Sequence, residues 1–453
     1  LRRSFIALLP RVLRGFLLFI AVRISRMSMQ SSLLESDNPT FANLTTIGVG
    51  GSIARFVEPT SRVAVIEAVE DADCAGLPLC VIGGGSNMLV SDEPFNGVVV
   101  RDARREICVL DEAAPGIDGV DKTSGDFLVH VSAEAGCNWD DFVSHTIELG
   151  LQGVEALSGI PGTVGASVVQ NIGAYGAEVA QSVESVEVWD RKDKTTFYMN
   201  LADLKFGYRT SVLKQSMYKA PGVAADCFFP TPRYVVLSVT FCLKHSKTGV
   251  VAHSQLAHAL GVQVGDRMET SKIRREVLRV RASKGMLEDA MRYANRWMCY
   301  AKSENGVESS IRLQNEDYVC GDLQDGDSKY ADRHSCGSFF MNPILTKSQA
   351  DLLPEDAPRF DATLPDGSKG VKTPAAWLID HAGFHKGFRL AQSDGEKSKA
   401  GLSSLHTLAL TNRSCAKCKD IVDLARKIID GVYDSFGVKL VPEPVLIGVS
   451  ADC

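Results

Sequence analysis

The stretch LCVIGGGSN, residues 79–87, decides the fold that we predict for this chain. Four apolar residues lead directly into three consecutive glycines, which predicts a buried strand that ends in a tight turn without Cβ atoms. In such a turn, consecutive backbone N–H groups can converge on one anion. Ser86 and Asn87 add side-chain donors at the end of the turn. We therefore interpret this stretch as a phosphate cradle.

Two better-known phosphate loops do not fit this stretch. It lacks the Gly-Lys-Ser/Thr ending with which a P-loop reaches a terminal phosphate and holds magnesium, so nucleotide hydrolysis is not expected. It also lacks the G-x-G-x-x-G spacing of a dinucleotide-binding Rossmann turn. A triple glycine is equally typical of a plain surface turn, so the interpretation depends on the rest of the chain.

Two further glycine-rich stretches lie within one domain length of the first. TTIGVGG (45–51) precedes it, and SGIPGTVGA (158–166) follows and continues into QNIGAYG (170–176). Three small-residue loops suit a long ligand that carries a diphosphate better than they suit a single phosphate. The alternative is three ordinary turns in a glycine-rich protein.

Composition and charge exclude several classes of protein. The chain has 453 residues, 45% hydrophobic and 23% charged, which is typical of a globular protein with two or three domains. A formal charge of -6 argues against sequence-independent nucleic-acid binding. Twelve scattered cysteines favour reduced thiols and a reducing compartment. Cys415 and Cys418 have no second pair nearby, so we expect no metal site.

The first residues form a basic leader. Six arginines and no acidic residue lie within residues 1–26, around an apolar stretch, 16–22, that is too short to cross a bilayer. This is either a targeting segment or sequence ahead of a true start at Met27 or Met29. We expect residues 1–30 to lie outside the fold and no other segment to span a membrane.

Periodicity predicts alternating helices and strands. A helix is expected at 61–75, with Val63, Ile66 and Val69 on its apolar face. Strands are expected at 79–82, 97–100, 127–133, 182–189 and 234–243, and a surface loop at 112–126. A helix with an apolar stripe at Ile421, Leu424, Ile428 and Val432 should end before Gly437, with a strand at 438–447 behind it.

One segment breaks this alternation. Residues 287–332 carry ten acidic and five basic residues with little periodicity. We expect a peripheral or disordered insertion rather than a new functional domain.

Three separate residues are candidates for chemistry. Arg209 follows small and aromatic residues and could clamp a carboxylate with two hydrogen bonds. Ser338 lies at a glycine turn before two phenylalanines, and Glu443 stands between two prolines. Each also has a structural explanation: a surface arginine, a buried turn serine and a strand end bracketed by proline. No G-x-S-x-G elbow surrounds Ser338, so a hydrolase nucleophile has little support.

Taken together, these residues resemble the UDP-N-acetylenolpyruvoylglucosamine reductase family. The motifs that carry the resemblance, in the order of the family, are TIGVGG (46–51), VIGGGSNMLV (81–90), GIPGTVG (159–165), QNIGAYG (170–176), FGYR (206–209), GSFF (337–340), AWLID (376–380) and PE (442–443). Family members usually pass within a few residues from KGM (284–286) to GSFF, whereas about fifty residues intervene here.

The resemblance implies an α+β fold. An FAD-binding domain of the vanillyl-alcohol-oxidase type, built from two α+β subdomains, would occupy residues 31–248. A smaller α+β substrate-binding domain would occupy 249–453 and contain the insertion at about 287–332.

The resemblance also implies an activity. It is the FAD-dependent, NADPH-driven reduction of UDP-N-acetylglucosamine enolpyruvate to UDP-N-acetylmuramate, for peptidoglycan precursors, cell wall biogenesis, cell shape and cell division. The enzyme would be a cytoplasmic flavoprotein oxidoreductase with noncovalent FAD, and a monomer without nucleic-acid or membrane partners.

Residue roles follow from the same resemblance. Arg209 would hold the substrate carboxylate and the charge that develops beside it, Ser338 would protonate the carbon, and Glu443, protonated or through water, would orient the carboxylate end. Lys284, Asn342 and His253 would bind substrate, with His253 at a position often held by tyrosine. The implied FAD-binding residues are Gly48, Gly50, Gly51, Gly83, Gly84, Gly85, Ser86, Asn87, Gly159, Gly162, Thr163, Gly165, Gln170, Asn171, Ala174 and Tyr175.

Two rival functions use the same features. An oxidase of the same fold would oxidise an alcohol or a sugar lactone with oxygen, often with flavin attached to a histidine. However, His130 is the first histidine of the chain and lies far along it from the triple glycine. The other rival is a relative that only binds flavin or a UDP-sugar, because the long insertion has disabled catalysis. The presence of Arg209, Ser338 and Glu443 argues against this second function.

Overall fold

The triple glycine joins two strands that belong to different sheets. The computed structural model describes residues 38–111, 127–221, 223, 227–301, 329–392 and 395–450. The helices of these residues are α1 Phe41–Leu44, α2 Arg62–Cys74, α3 Trp139–Glu148, α4 Val164–Gln170, α5 Leu201–Leu204, α6 Val212–Gln215, α7 Ser254–Leu260, α8 Thr270–Ser283, α9 Lys347–Ala350, α10 Ala375–His381 and α11 Cys418–Phe436.

The strands are mostly short. They are β1 Ile53–Val57, β2 Leu79–Val81, β3 Met88–Val90, β4 Phe95–Val100, β5 Ile107–Val109, β6 Leu128–Glu134, β7 Leu151–Gln152, β8 Gly173–Ala174, β9 Ala177–Glu178, β10 Val183–Asp190, β11 Thr195–Asn200, β12 Tyr218–Lys219, β13 Cys227–Phe228, β14 Pro230–Thr231, β15 Tyr234–His245, β16 Thr248–Val250, β17 Arg267–Glu269, β18 Ile344–Leu345, β19 Phe360–Thr363, β20 Lys369–Lys372, β21 Ala400–Leu402, β22 Leu410–Asn412, β23 Val445–Ile447 and β24 Val449–Ser450.

A small parallel sheet opens the fold, with strand order β1-β4-β2. The predicted helix over 61–75 is confirmed as α2, and the Ser61 side chain caps it by accepting from Ala64 N–H. The predicted apolar face is partly wrong, because Val63 is 62% exposed while Val65 and Val69 are buried. The face that is buried is formed by Val65, Ala68, Val69 and Ala72, and it packs against the sheet.

A larger antiparallel sheet follows, with strand order β11-β10-β15-β6-β5. The central strand β15 is twelve residues long and rich in valine, and most of its residues are buried on both faces. Trp139 and Phe142 of α3 pack on Phe241 of this strand, and α4 belongs to the same core. The glycine stretch 158–166 therefore runs over the face of this sheet and enters α4.

The end of the chain returns to the triple glycine. The predicted terminal helix is confirmed as α11, which ends at Gly437 in a left-handed conformation with φ +65°. The strand predicted at 438–447 is shorter than expected and is confined to β23. It pairs in parallel with β3, directly after the loop 83–87, and Val445 N–H donates to Asn87 O. This pairing brings Glu443 beside the loop.

The described ends of the insertion are part of the core. Tyr293 and Met298 are 9% and 1% exposed and pack with Phe41 and Leu44. The expectation of a peripheral excursion is wrong for the first of these ends, because its apolar side chains pack in the cluster that contains α1. Residues 302–328 of the insertion lie outside the described residues, as do the predicted loop 112–126 and the whole leader, residues 1–30.

Residue contacts group residues 40–453 into one unit. The predicted division of the chain into an FAD-binding and a substrate-binding domain at residue 248 stays a prediction. Within the described ranges, the helices are all too short or too polar to cross a membrane.

Candidate active site

Two adjoining cavities lie between the glycine loops and the C-terminal part of the chain. Their volumes are about 210 and about 180 Å³. The side chains of Asn87, Thr163 and Gln170 line both of them. We call the first the catalytic cavity, since Arg209 and Ser338 line it, and the second the cradle cavity, since residues 83–87 line it.

The loop 83–87 presents a row of unsatisfied donors to these cavities. None of its five backbone N–H groups donates to another residue in the described part of the chain. Buried or half-buried N–H groups are almost always paired, so such a row is a physical indication of an anionic ligand. Asn87 also has no side-chain partner among the described residues. A diphosphate fits these donors, as FAD would require.

The glycines themselves serve a different purpose from the one expected. A Cβ atom on Gly83 would lie 2.6 Å from Thr163 Oγ1, one on Gly84 would lie 2.7 Å from Gly162 Cα, and one on Gly85 would lie 2.2 Å from Leu44 O. The absence of side chains on Gly83, Gly84 and Gly85 therefore lets the loop 83–87 lie directly against the loop 158–166 and against α1. The absent side chains make room for neighbouring backbone, and the ligand meets the N–H groups instead.

Ser86 is also committed to loop packing. Its hydroxyl donates to Pro161 O at 2.6 Å, which fastens the loop 83–87 to the loop 158–166. The single hydroxyl proton of Ser86 is thus donated within the protein in this arrangement, and the expectation that its side chain donates to a phosphate stays a prediction. Gly162 and Thr163, from the second loop, contribute two more backbone N–H groups without a partner among the described residues.

The glycines of the stretch 45–51 lie away from both cavities. A Cβ atom on Gly51 would lie 2.4 Å from the carbonyl oxygens of Asp92 and Glu93, and one on Gly50 would lie 2.5 Å from Phe41 Cβ. Thr46 is the residue of this stretch that lines the catalytic cavity, and its hydroxyl donates to Ser335 O at 2.6 Å. The predicted FAD contacts that do not line either cavity are Gly48, Gly50, Gly51, Gly159, Asn171 and Tyr175.

Asn171 and Tyr175 have other contacts. Asn171 is fully buried and donates to Gly207 O at 2.8 Å, so it holds the turn that carries Arg209. The ring of Tyr175 packs edge-on against His253, with the ring centres 5.8 Å apart. Ala174, by contrast, lines the catalytic cavity as expected of a residue near a flavin.

Three linked side chains, those of Arg209, Glu443 and Gln170, line the catalytic cavity, and Lys214 supports them from behind. Arg209 Nε and Gln170 Nε2 both lie 3.1 Å from Glu443 Oε1. Lys214 Nζ donates to Gln170 Oε1 at 2.7 Å. Because the ammonium group can only donate, the amide oxygen of Gln170 must face Lys214, and its NH₂ group then faces Glu443. Burial lowers the pKa of Lys214, and Arg209 lowers it further while Glu443 opposes this.

Arg209 is held by a strained turn. Its φ is +55°, which is uncommon for a residue with a side chain. Gly207 and Thr210 exchange backbone hydrogen bonds across the turn, and Arg209 Nη2 donates to Gly173 O at 2.7 Å. The guanidinium is therefore fixed at the cavity wall before any substrate binds.

Ser338 and Glu443 come together through backbone pairing. Phe340 forms an antiparallel bridge with Pro442, and Glu443 N–H donates to Phe339 O at 2.8 Å. Both phenylalanines are 1% exposed, so this segment is anchored in the C-terminal core. Ser338 is half-buried at the catalytic cavity, and its hydroxyl makes no hydrogen bond to another described residue.

The predicted substrate residues are divided between two places. Lys284 lies beside His253 and precedes Gly285, which lines the catalytic cavity, and its Nζ donates to Gln255 Oε1 at 2.8 Å. Burial lowers the pKa of Lys284, and so do the nearby charges of Arg281 and Lys386. Burial and Lys284 lower the pKa of His253 in turn. These neighbours form a cationic edge, which we define as Arg281, Lys284 and Lys386.

Asn342 lies apart from this edge. Its Oδ1 accepts from the N–H of Ala375 at 2.9 Å, which fastens the segment after Ser338 to the first turn of α10. It also lies close to the Tyr208 hydroxyl. The structure thus gives Asn342 a supporting contact next to Arg209 rather than a place in the catalytic cavity.

Several residues of the site escaped sequence reasoning. Lys214, Arg281 and Glu288 all contribute charge at or behind the catalytic cavity. Arg281 precedes Lys284 on α8 and donates to Gly159 O at 3.0 Å, so its place follows from the helix. No sequence pattern marks Glu288, because it lies in the insertion.

Known proteins match the chain over nearly its whole length. Family models match as an FAD binding domain over residues 53–197 and as the UDP-N-acetylenolpyruvoylglucosamine reductase C-terminal domain over residues 328–447. UDP-N-acetylenolpyruvoylglucosamine reductase of Cutibacterium acnes is 40% identical over 417 residues, which cover 92% of this chain and 91% of that protein. The enzyme of Thermobifida fusca is 38% identical over 423 residues, covering 91% and 98%.

A solved structure is also similar. The crystal structure of the reductase from Thermus caldophilus has a TM-score of 0.46 and 21% identity, covering 90% of this chain and 98% of that one. The family models and the mixed helices and strands confirm the expected fold class, an α+β protein with an FAD-binding domain of the vanillyl-alcohol-oxidase type. With 40% identity over 92% of its length to one relative, the chain belongs to the UDP-N-acetylenolpyruvoylglucosamine reductase family.

Proposed function

We propose that this protein reduces UDP-N-acetylglucosamine enolpyruvate to UDP-N-acetylmuramate with NADPH and noncovalently bound FAD, in peptidoglycan precursor synthesis. The observation that carries the proposal is the meeting of Arg209, Ser338 and Glu443 at one cavity. These residues are far apart in the chain, and the reaction needs a cation, a proton donor and a carboxyl group in one place. Membership of the family supports the same conclusion.

FAD would be held by backbone donors rather than by side-chain charge. The diphosphate would bind the free N–H groups of residues 83–87, with Gly162 and Thr163 opposite them. Gln170 and Ala174 would contact the flavin in the catalytic cavity. When bound, FAD supplies a hydride acceptor for NADPH and a hydride donor for the enolpyruvyl double bond.

The protein stabilises the charge that hydride addition creates. A hydride added to the enolpyruvyl group leaves negative charge on the carbon next to the carboxylate, and this charge spreads onto the carboxylate oxygens. Arg209 is already in position, since Glu443 and Gly173 O bind its Nε and Nη2. Its Nη1 makes a longer contact of 3.5 Å to Asn171 O and is the donor best placed to turn to the substrate. A fixed cation of this kind costs no reorganisation during the reaction.

Glu443 acts on this arrangement from behind. Its Oε1 forms an ion pair with Arg209 and accepts a hydrogen bond from Gln170, and Lys214 sets the orientation of the Gln170 amide. Because Arg209 neutralises it, Glu443 does not meet the substrate carboxylate as an unpaired like charge. Its part would be to hold Arg209 and Gln170 at the angle that the substrate requires.

Ser338 completes the reaction by protonating the carbon. Its hydroxyl has no partner among the described residues and faces the catalytic cavity. A hydroxyl is a weak acid, but it can protonate a strongly basic enolate-like carbon that lies within reach. The O–H bond breaks, a C–H bond forms, and the serine oxygen then regains a proton from water.

The cationic edge suits the diphosphate of the substrate. Arg281, Lys284 and Lys386 concentrate positive charge in a chain whose formal charge is -6. Lys284 would bind the diphosphate, and His253 would lie over the uridine side next to Tyr175. Asn342 would support Arg209 through Tyr208. Cytoplasmic location and a monomeric state remain part of the proposal, and the ten cysteines that the structure describes are all free thiols.

The proposal is tested by measuring the two half-reactions of the Ser338→Ala variant separately. Flavin reduction by NADPH should remain within about two-fold of wild type, whereas reoxidation by the enolpyruvyl substrate should slow about 10³-fold, the range for loss of a general acid. Ser335→Ala is the matched control, since Ser335 lies on the same segment and its hydroxyl accepts from Gly337 N–H. Equal loss in both half-reactions would remove Ser338 from the role of proton donor, and oxygen consumption with an alcohol donor would favour an oxidase.

A further inference from the structure

The first described arm of the insertion, residues 288–301, is built onto the phosphate cradle. It runs beside α1 and behind the loop 83–87, and its residues Tyr293 and Met298 are buried against Phe41 and Leu44. Arg101, at the end of β4, donates to Trp297 O and to Met298 Sδ. These contacts fix the arm in place with both apolar and polar interactions.

Arg292 is the residue of this arm that reaches the cradle itself. Its Nη2 donates to Gly84 O at 3.0 Å and to Leu44 O at 2.8 Å, while its Nη1 pairs with Glu288. Its side chain is 9% exposed. One guanidinium group thus links the triple glycine to the end of α1. It also forms an ion pair with Glu288, which lines the catalytic cavity.

The contact with Gly84 O determines where the next donor points. In a trans peptide, the C=O and the following N–H point in opposite directions. Because the Gly84 carbonyl is turned toward Arg292, the N–H of Gly85 is turned away from it. Gly85 O in turn accepts from Thr46 N–H at 3.0 Å, which sets the N–H of Ser86 in the same manner. A hydrogen bond from a cation also polarises the peptide and strengthens its N–H as a donor.

We propose that Arg292 is a positioning residue for FAD: it orients and polarises the peptide of Gly84 so that the N–H groups of the loop 83–87 converge on the cofactor diphosphate. The insertion is thereby part of the cofactor site rather than an addition to it. This inference rests on the proposed use of FAD and assigns a role to the first arm of the insertion.

A supporting role in packing alone would give a different result. If Arg292 merely stabilised the arm, its loss would lower the free energy of unfolding of the apoprotein. The loss of FAD affinity would then be no larger than this loss of stability explains. If Arg292 positions the donors, FAD affinity should fall more than stability, and a residue that keeps the cation should restore most of the affinity. Asn295 provides the comparison, because it lies on the same arm and donates to Asn43 O at 3.3 Å without touching the triple glycine.

The experiment measures the Kd of FAD by quenching of flavin fluorescence on titration of apoprotein, and the thermal unfolding of the same apoproteins. We expect Arg292→Met to raise the Kd about 30-fold, since charge-assisted hydrogen bonds to the cradle are lost. Arg292→Lys should raise it less than about 5-fold, because an ammonium group reaches one of the two carbonyls. Asn295→Ala should leave it within about 2-fold.

Other outcomes would overturn the proposal. An unchanged Kd in Arg292→Met, or an equal loss in Arg292→Met and Asn295→Ala, would leave Arg292 a packing residue. Tighter FAD binding in Arg292→Met would mean that the arm obstructs the site. If Arg292→Met does not fold, Arg292→Gln and Arg292→Lys give the same comparison with and without charge. A wild-type apoprotein that binds no FAD would refute the proposed function itself, whereas a normal wild-type Kd with no effect of Arg292 would refute this inference alone.

Discussion

The loops 83–87 and 48–51 have similar sequences and opposite uses. Gly48 and Gly51 donate their N–H groups to Thr45 O and Ser91 O, and the carbonyls of Gly50 and Gly51 accept from α1. None of the N–H groups of residues 83–87 finds a partner in the described residues. In both loops a Cβ atom would collide with protein atoms, so glycine content does not distinguish them. What distinguishes a ligand loop is the number of its backbone N–H groups that have no hydrogen-bond acceptor within the protein.

The largest expected effect concerns the loop whose donors are used. Gly51→Ala places a Cβ atom against two carbonyl oxygens, and we expect it to lower the free energy of unfolding of the apoprotein by about 3 kcal/mol, as overpacking of backbone does. Chemical denaturation of apoprotein measures this. Gly76→Ala is the control, because Gly76 has φ +63° but nothing within 4 Å of its Cβ position, and it should cost about 1 kcal/mol. A stable Gly51→Ala protein that has lost FAD would reverse the comparison.

Gly84→Ala tests the other loop. Its Cβ atom would lie 2.7 Å from Gly162 Cα, so the two loops that present free N–H groups must separate. We expect the Kd of FAD to rise about 30-fold, because several hydrogen bonds to the diphosphate are misplaced together. Titration of apoprotein with FAD gives the value. An unchanged Kd would show that the diphosphate binds elsewhere.

Ser86 and Asn87 separate the two roles within one loop. Ser86→Ala loses the bond to Pro161 O and should lower the free energy of unfolding of the apoprotein by about 1 kcal/mol. Asn87→Ala removes a side chain without a described partner, so it should leave that free energy within about 0.5 kcal/mol and raise the Kd of FAD about 10-fold. Both quantities should be measured for both variants. The reverse pattern would exchange the roles of the two residues.

The smallest effect is expected at Cys336, which also lines the catalytic cavity. Burial raises its pKa to about 12, so at pH 7.5 it is a neutral thiol and should not react with iodoacetamide. Cys74, Cys299 and Cys415 are exposed and should react within the same incubation. Peptide mass spectrometry after alkylation identifies the modified sites. Rapid labelling of Cys336 in the folded protein would mean that the cavity opens to solvent more than the structure indicates.

Local patterns predicted most of the elements, and the exceptions have physical causes. The helices α2 and α11 were predicted from apolar spacing and, for α11, a terminal glycine, which are properties of neighbouring residues. Val63 was placed on the wrong face, because the stripe that is buried depends on the sheet beneath it. The insertion was judged by its charge, whereas five apolar side chains of its first arm, including Tyr293 and Met298, belong to the cluster that contains Phe41 and Leu44 of α1.

The sequence by itself determined the family, the glycine loops and the three residue types that the chemistry needs, because these are motifs of adjacent residues. Tertiary structure decided which loop keeps free donors and which residues act on one another. The bridge between Phe340 and Pro442 brings Ser338 to Glu443, and the pairing of β23 with β3 brings both to the cradle. Lys214 and Arg292 act through contacts that link distant parts of the chain, and such contacts arise only when the chain folds.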